Sequence, residues 1–434
     1  MSAAKGGAVA RRRLPALRAP EAFVWATGIE DTFIVDPWPA TGRTLDEYEL
    51  TDHYRLWRSD LARMAELGVR AARYGIPWYR VNPGRGRWNW RWADKPLERM
   101  LELGIDPIVD LVHYGTPRWI EGGFLAPEFP ERMAEYAARV AERYRGRIRW
   151  YTPLNEPRIA AWYAGRLGWW PPYRRSWRGF VAVILALCDG MARTDRALRA
   201  VDDAIVPVHV DASDVYTPAE PALAAFARHR QALVFLALDV LTGRVTPRHP
   251  LFPWLLAHGA RPDGLAAHAA RPVRLELLGV NLYPMFTAKR VLQRNGVVHV
   301  RMTRAGGELV ERVVGMYARR YGCPVVITET AALGSAARRI AWLDASVAAV
   351  RRLRARGVPV VGYTWWPMFA LVAWAYRQGT RAMDRHVLQM GLWDLDPRAA
   401  LRRVRTAVVD AYARMIADGA HRVGPVAVRG GKGG

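Results

Sequence analysis

Arg320-Tyr321-Gly322-Cys323-Pro324-Val325-Val326-Ile327-Thr328-Glu329-Thr330 is the stretch on which the fold turns. An amphipathic run stops at Gly322, and a β-rich apolar run follows and ends on a carboxylate. Glycine at such a point takes the left-handed conformation that closes a helix. The same grammar recurs three times. Glu66-Leu67-Gly68-Val69 leads into Arg70-Ala71-Ala72-Arg73-Tyr74. Glu102-Leu103-Gly104-Ile105 leads into Pro107-Ile108-Val109-Asp110-Leu111-Val112, and Ala355-Arg356-Gly357-Val358 into Val360-Val361-Gly362-Tyr363. Three of the four β-rich runs are largely apolar instead of alternating, which suits strands buried on both faces of a parallel sheet.

Helical periodicity fills the gaps. From Glu131 to Tyr144, the residues Met133, Tyr136, Ala137, Val140, Ala141 and Tyr144 form one apolar stripe. Tyr54, Trp57, Leu61 and Met64 form another before Gly68. Further β-rich runs occur at Phe23–Thr27, Ile148–Leu154, Ile205–Val210 and Leu277–Leu282. Eight strands separated by helical stretches predict an α/β fold, a single (β/α)₈ TIM barrel, with a doubly wound sheet as the alternative. Ser213 to Ala270 reads as a long connection with helices in it. The domain plan is an N-terminal arm over 1–20, a barrel over 21–420 and a Gly-rich, disordered tail over 421–434.

Composition narrows the function. The chain has 434 residues, 51% of them hydrophobic, enough for one large core. No apolar run is long enough to span a membrane, and Arg11-Arg12-Arg13 is followed by no apolar segment of a signal peptide. The expected location is cytoplasmic. Two cysteines, Cys188 and Cys323, read as free core thiols. The formal net charge is +24, yet lysine occurs only at 5, 95, 289 and 432. The arginines are scattered among Ala and Glu, a pattern of solvated helix faces and not of a nucleic-acid-binding stripe.

Glu156, in Tyr151-Thr152-Pro153-Leu154-Asn155-Glu156-Pro157, ends the fourth predicted strand, and Glu329 ends the seventh. Both carboxylates would face the C-terminal mouth of the barrel, where active sites of this fold sit. Cleavage of a glycosidic bond needs one carboxyl to protonate the leaving oxygen and a second to meet the oxocarbenium-like centre.

These motifs resemble glycoside hydrolase family 1, the β-glucosidase-like retaining enzymes, over about Phe23 to Asp396. The family's Thr-x-Asn-Glu-Pro reads as Thr152 to Pro157 with one extra residue, or without a gap with Pro153 at the Thr position. Either way the resemblance implies Glu156 as acid/base and Asn155 as the contact to the sugar 2-hydroxyl. The family's Thr-Glu-Asn-Gly survives as Thr328-Glu329, followed by Thr330-Ala331, implying Glu329 as nucleophile. Arg73 resembles the arginine that sits beside the nucleophile and would keep it ionised. His113-Tyr114 resembles the family's His-Trp, a sugar-binding pair. Tyr283 in Asn281-Leu282-Tyr283 resembles the tyrosine that bonds the nucleophile. Trp366 resembles the aromatic platform under the sugar, and Trp374 a second tryptophan at the glycon.

Two departures bear on substrate choice. Ala373 stands where the family has a glycon-gripping Glu. Ala26-Thr27-Gly28-Ile29-Glu30-Asp31 lacks the family's Gln, and Glu30 is the proposed substitute. Arg377 and Arg381 are candidates to meet an anionic, phosphorylated sugar. The reading is therefore a hydrolase of carbohydrate metabolism acting on a small-molecule β-glycoside, with no metal or cofactor and no nucleic-acid or membrane partner. The alternatives are a transglycosylase using the same residues and a non-catalytic sugar-binding barrel. Oligomeric state is not legible.

Overall fold

The computed structural model describes residues 22–427. Eight parallel strands close into a barrel in chain order. They are β1 (Val24–Gly28), β2 (Ala71–Gly75), β3 (Asp106–Asp110), β4 (Trp150–Thr152), β5 (Val206–Ala212), β6 (Leu277–Asn281), β7 (Val325–Thr330) and β8 (Val360–Trp365). β1 pairs with both β8 and β2, so no edge is left open and the doubly wound alternative is excluded.

Strand periodicity builds the interior in layers. Val24, Ala26, Ala71, Ile108, Trp150, Val206, Val208, Leu277 and Val326 belong to one buried apolar cluster. Two residues beyond Ala71 and Ile108, and four beyond Leu277, the residues with the same parity are Arg73, Asp110 and Asn281. The filling thus turns from apolar to polar toward the C-terminal rim. β7 keeps no simple register there: its pairing shifts after Ile327 against both neighbours. Such an irregularity re-aims side chains, and here it falls on Thr328-Glu329.

The main helices are α1 (His53–Glu66), α2 (Asp94–Glu102), α3 (Phe129–Arg143), α4 (Trp177–Val201), α5 (Ala224–Leu241), α6 (Glu308–Tyr321), α7 (Ala336–Ala355) and α8 (Ala407–Ala417). In α3 the predicted stripe is the buried face: Met133, Tyr136, Ala137, Val140 and Ala141 are all inaccessible. Burying a Met or Val side chain there contributes about 1.5–3 kcal/mol. The four predicted helix-closing glycines, Gly68, Gly104, Gly322 and Gly357, have φ of 76°, 74°, 69° and 78°. No helix of the described residues is long and apolar enough to cross a membrane. Cys188 and Cys323 are buried free thiols.

One expectation is incomplete and another needs correction. The segment 213–270 contains a strand, Val215–Pro218, besides its helices, and this strand pairs with a hairpin of Ala288–Arg294 and Val297–Thr303. The hairpin's strands are largely solvent-facing: the first mixes Lys, Arg and Gln with its apolar residues, and the apolar run of the second, Val297-Val298-His299-Val300, is short, so no long apolar run announces the pair. Their turn, Asn295-Gly296, carries positive φ at both residues, the usual two-residue hairpin signal. The tail also begins later than 421: Val423 is buried, the Arg354 side chain donates to the Gly424 carbonyl, and Ala427 N–H donates to the Arg354 carbonyl. The arm over 1–20 and the end of the tail, 428–434, lie outside the described residues.

A Cβ on Gly104 would meet no atom within 4 Å, so only the left-handed backbone resists a side chain there. Gly104→Ala is expected to destabilise the barrel by about 1–2 kcal/mol, read as a lowered midpoint in urea unfolding; an unchanged midpoint would refute the glycine's role.

Candidate active site

The polar layer at the rim is organised by one arginine. Arg73, on β2, is fully buried. Its Nη1 pairs with Glu329 Oε1 at 2.6 Å and with Glu30 Oε1 at 2.7 Å. Its Nη2 reaches Asp110 Oδ2 at 2.9 Å and Asn155 Oδ1 at 3.0 Å. Burial alone would lower the arginine's pKa, but the charges of Glu30, Glu329 and Asp110 outweigh it and push the pKa upward. The guanidinium is therefore a permanent cation beside Glu329.

Glu329 lies on the irregular end of β7, with its other oxygen, Oε2, accepting from the Tyr283 hydroxyl at 2.7 Å. Glu156 arrives by a different route. β4 ends at Thr152, and the chain is then clipped on both sides: Asn155 N–H donates to the Val112 carbonyl and Glu156 N–H to the Val210 carbonyl. Glu156 itself is left-handed at φ 47°, immediately before the short helix Pro157–Ala161. Its Oε1 accepts from Asn281 Nδ2 at 2.8 Å and its Oε2 from the Tyr114 hydroxyl. Burial and the neighbouring Glu329 charge push its pKa up to about 7, although the bonds from Tyr114 and Asn281 oppose them. The two carboxylates are thus buried in one site but differently placed: Glu329 touches the cation, whereas Glu156 has only neutral donors on its oxygens.

Donor chemistry fixes the direction of the remaining bonds. Arg73 can only donate, so Asn155 must turn Oδ1 toward it and Nδ2 away. Nδ2 then donates to His113 Nε2 at 3.1 Å and to the Tyr114 hydroxyl at 2.9 Å. His113 Nε2 is an acceptor, which leaves the ring proton on Nδ1, facing Asp110 Oδ2 at 3.0 Å. Asn155 Oδ1 also receives Asn281 Nδ2 at 3.3 Å. All four hydrogen-bonding positions of the Asn155 side-chain amide are filled by protein. Burial works against a charged His113, but the bond to Asp110 and the charges of Asp110, Asp31 and Glu329 together outweigh it and raise its pKa.

The aromatic walls come from loops. Trp366, just past β8, is buried with its ring 6.2 Å from that of Tyr283, and its indole N–H donates to the Glu30 carbonyl at 2.8 Å. Trp374 is half-buried and anchored by Thr32 Oγ1 at 3.0 Å. It meets Tyr114, Tyr163 and Trp170 edge-on at 5.4, 5.1 and 5.0 Å. Among the described residues no group of three His, Cys, Asp or Glu is arranged to hold a metal ion.

Arg73, His113, Tyr114, Asn155, Glu156, Tyr283 and Glu329 therefore form one network, with the aromatic faces of Trp366 and Trp374 beside it. Glu30 departs from its expected part as a sugar contact. It is fully buried, paired with Arg73, and folded back so closely that a Cβ on Gly28 would lie 2.2 Å from its Oε2. Burial raises its pKa well above the carboxylate range, against the pull of Arg73. Arg377 is likewise not free to meet an anion. It is fully buried, and its donors go to the Asp36 and Trp169 carbonyls and the Tyr173 hydroxyl. Arg381 is exposed. Three contributors escaped the sequence reading: Asp110, Asn281 in its contact with Glu156, and the aromatic pair Tyr163 and Trp170. Asp110 and Asn281 share the inward parity of Ile108 and Leu277, which is the signal that finds them.

Residues 26–235 match the family model of glycosyl hydrolase family 1. Over 145 residues the chain is 38% identical to a bifunctional β-D-glucosidase/β-D-fucosidase of Bifidobacterium breve, covering 30% of this chain and 32% of that protein. Over 174 residues it is 32% identical to the thermostable β-glucosidase B of Thermobispora bispora, covering 35% and 37%. The chain thus matches about a third of the length of these curated relatives. The solved structure of a β-glucosidase from Thermotoga maritima in complex with azafagomine superposes with a TM-score of 0.77 at 20% identity, over 94% of this chain and all of that one. That likeness is one of fold.

Removing the central cation would strand three buried carboxylates. Arg73→Met is expected to cost about 3–5 kcal/mol of stability, measured by urea unfolding at pH 7. Glu30→Gln, which leaves the cation two carboxylates, should cost much less; equal losses would contradict Arg73 as the organising charge.

Proposed function

We propose that this chain, whose residues 26–235 match the family model of glycosyl hydrolase family 1, is a retaining β-glycosidase with Glu329 as nucleophile and Glu156 as acid/base. The observation that carries this reading is the unequal setting of the two carboxylates. Glu329 accepts from a buried guanidinium and from a phenol. Glu156 is pushed up to about 7 by burial and by Glu329, which lets it hold a proton near neutrality. Two carboxyl groups in such unequal settings, one bonded to a buried cation and the other bonded only to neutral donors, can divide the roles of nucleophile and acid.

In the first step a Glu329 oxygen attacks the anomeric carbon. The bond to the leaving oxygen breaks as Glu156 hands that oxygen its proton. The product is a sugar ester on Glu329 and a free alcohol. In the second step Glu156, now ionised, takes a proton from water, the hydroxide oxygen joins the anomeric carbon, and Glu329 is released. Two inversions leave the configuration retained. Arg73 and Tyr283 hold the nucleophile's oxygens apart and aimed. Trp366 and Trp374 supply aromatic faces on which a sugar ring stacks. Neither step as written calls for a metal or a cofactor. The substrate in this reading is a small β-glycoside, and cytoplasmic location is part of the same proposal. With Ala373 at the glycon position and Glu30 turned beneath Arg73, glycon choice falls to other groups.

The test is turnover of a panel of aryl β-glycosides. Glu329→Ala should lose at least about 10³-fold in kcat on every substrate. Glu156→Ala should lose far less on a highly activated phenol, which leaves without a proton, than on an alkyl glycoside. Full activity in Glu329→Ala would end this assignment. Because the first step consumes the protonated form of Glu156, kcat/KM should fall as pH rises through about 7; a plateau extending to pH 9 or so would contradict the acid role.

A further inference from the structure

Tyr114 stands out because its ring is buried at the site while its hydroxyl bonds the enzyme's own carboxylate. Its backbone is left-handed, with φ 68°, and so is that of Glu156, with φ 47°. Two non-glycine residues in this sparsely populated conformation meet through their side chains. Left-handed backbone at such residues persists only where the surroundings over-determine it. The Tyr114 ring is fixed on two sides, by Trp170 at 4.9 Å and Trp374 at 5.4 Å between centroids. Its hydroxyl is fixed by the chain of donors that begins at Arg73. Arg73 turns Asn155, Asn155 Nδ2 donates to the phenol oxygen, and the phenol's single proton is left for Glu156 Oε2.

We infer that Tyr114 is a positioning residue for Glu156: a directed donor that holds one carboxylate oxygen while Asn281 holds the other. This rests on the reading of Glu156 as the acid/base and assigns Tyr114 a task other than sugar contact. With a donor on each oxygen, the network is complementary to ionised Glu156, the form that activates water in the second step. It opposes burial and the Glu329 charge, which both favour the protonated form. Tyr114 thereby keeps the group within reach of both of its protonation states. Its own phenol stays protonated, since burial and the adjacent carboxylates raise its pKa.

The experiment is a carbon-13 NMR titration of protein labelled at the glutamate carboxyl carbon, with the Glu156 resonance identified by its absence in Glu156→Gln. In Tyr114→Phe the ring packing remains and one charge-assisted hydrogen bond is lost. The Glu156 pKa should rise by about one unit, and the alkaline limb of kcat/KM should move the same way. A merely structural residue would lower activity and leave that limb in place. Should Tyr114→Phe fail to fold, 3,5-difluorotyrosine placed at position 114 makes the phenol a stronger donor, and the Glu156 pKa should then fall. An unmoved Glu156 titration overturns the inference, whatever the activity. A moved titration in a protein that turns over no glycoside supports the inference and sinks the proposed hydrolysis instead.

Discussion

A single buried cation holds this site together. Arg73 has no exposed surface, and three carboxylates surround it: Glu30, Asp110 and Glu329. Removing so many charges from water is costly, and only their mutual pairing offsets the loss. The arrangement does more than neutralise charge. Because a guanidinium can only donate, it dictates which face Asn155 shows it. Asn155 in turn sets the tautomer of His113 and the direction of the Tyr114 hydroxyl. One side chain on β2 thus determines the polarity of bonds that reach Glu156, past the end of β4. The nucleophile and the acid/base candidates are linked through protein hydrogen bonds before any substrate arrives.

The barrel beneath explains why this is possible. Period-two filling puts Ala71, Ile108 and Leu277 below and Arg73, Asp110 and Asn281 above, so each polar side chain stands on a packed apolar layer. The walls rise from less regular chain. Glu156 is carried past the end of β4 on a clipped, left-handed segment, and Glu329 sits where β7 breaks register with both neighbours. Regular strands supply rigidity, and local irregularities aim the two carboxylates.

The fold was legible because helix-closing glycines and apolar β runs are local signals. Gly68, Gly104, Gly322 and Gly357 marked the helix ends, and all eight barrel strands were found from runs of a few residues. The hairpin over 288–303 escaped because its strands are exposed and its only local mark is Asn295-Gly296. In the site, Glu156, Glu329, Arg73 and Tyr283 were legible as strand-end residues and by family resemblance. What could not be read was who bonds whom. Glu30 was read as a sugar contact from its place after the first strand, and Arg377 as a candidate for an anionic group from its sequence neighbourhood. In the structure Glu30 folds back against Gly28 onto Arg73, and Arg377 is enclosed by loop carbonyls. Tyr114 was read as a sugar contact because it follows His113, whereas its left-handed backbone directs the hydroxyl to Glu156. These outcomes depend on side-chain direction and on competition for donors, which no short stretch of sequence encodes.

Glu329, held by Arg73, is the proposed point of covalent attachment to the sugar. An activated 2-deoxy-2-fluoro-β-glycoside tests it directly, since fluorine at that carbon destabilises the oxocarbenium-like transition states and slows release of the ester. Mass spectrometry of the digested protein should find one sugar, carried on Glu329, with none on the Glu329→Gln variant. Sugar on Glu156 or Glu30, or an unlabelled protein that still turns over ordinary glycosides, would contradict the account.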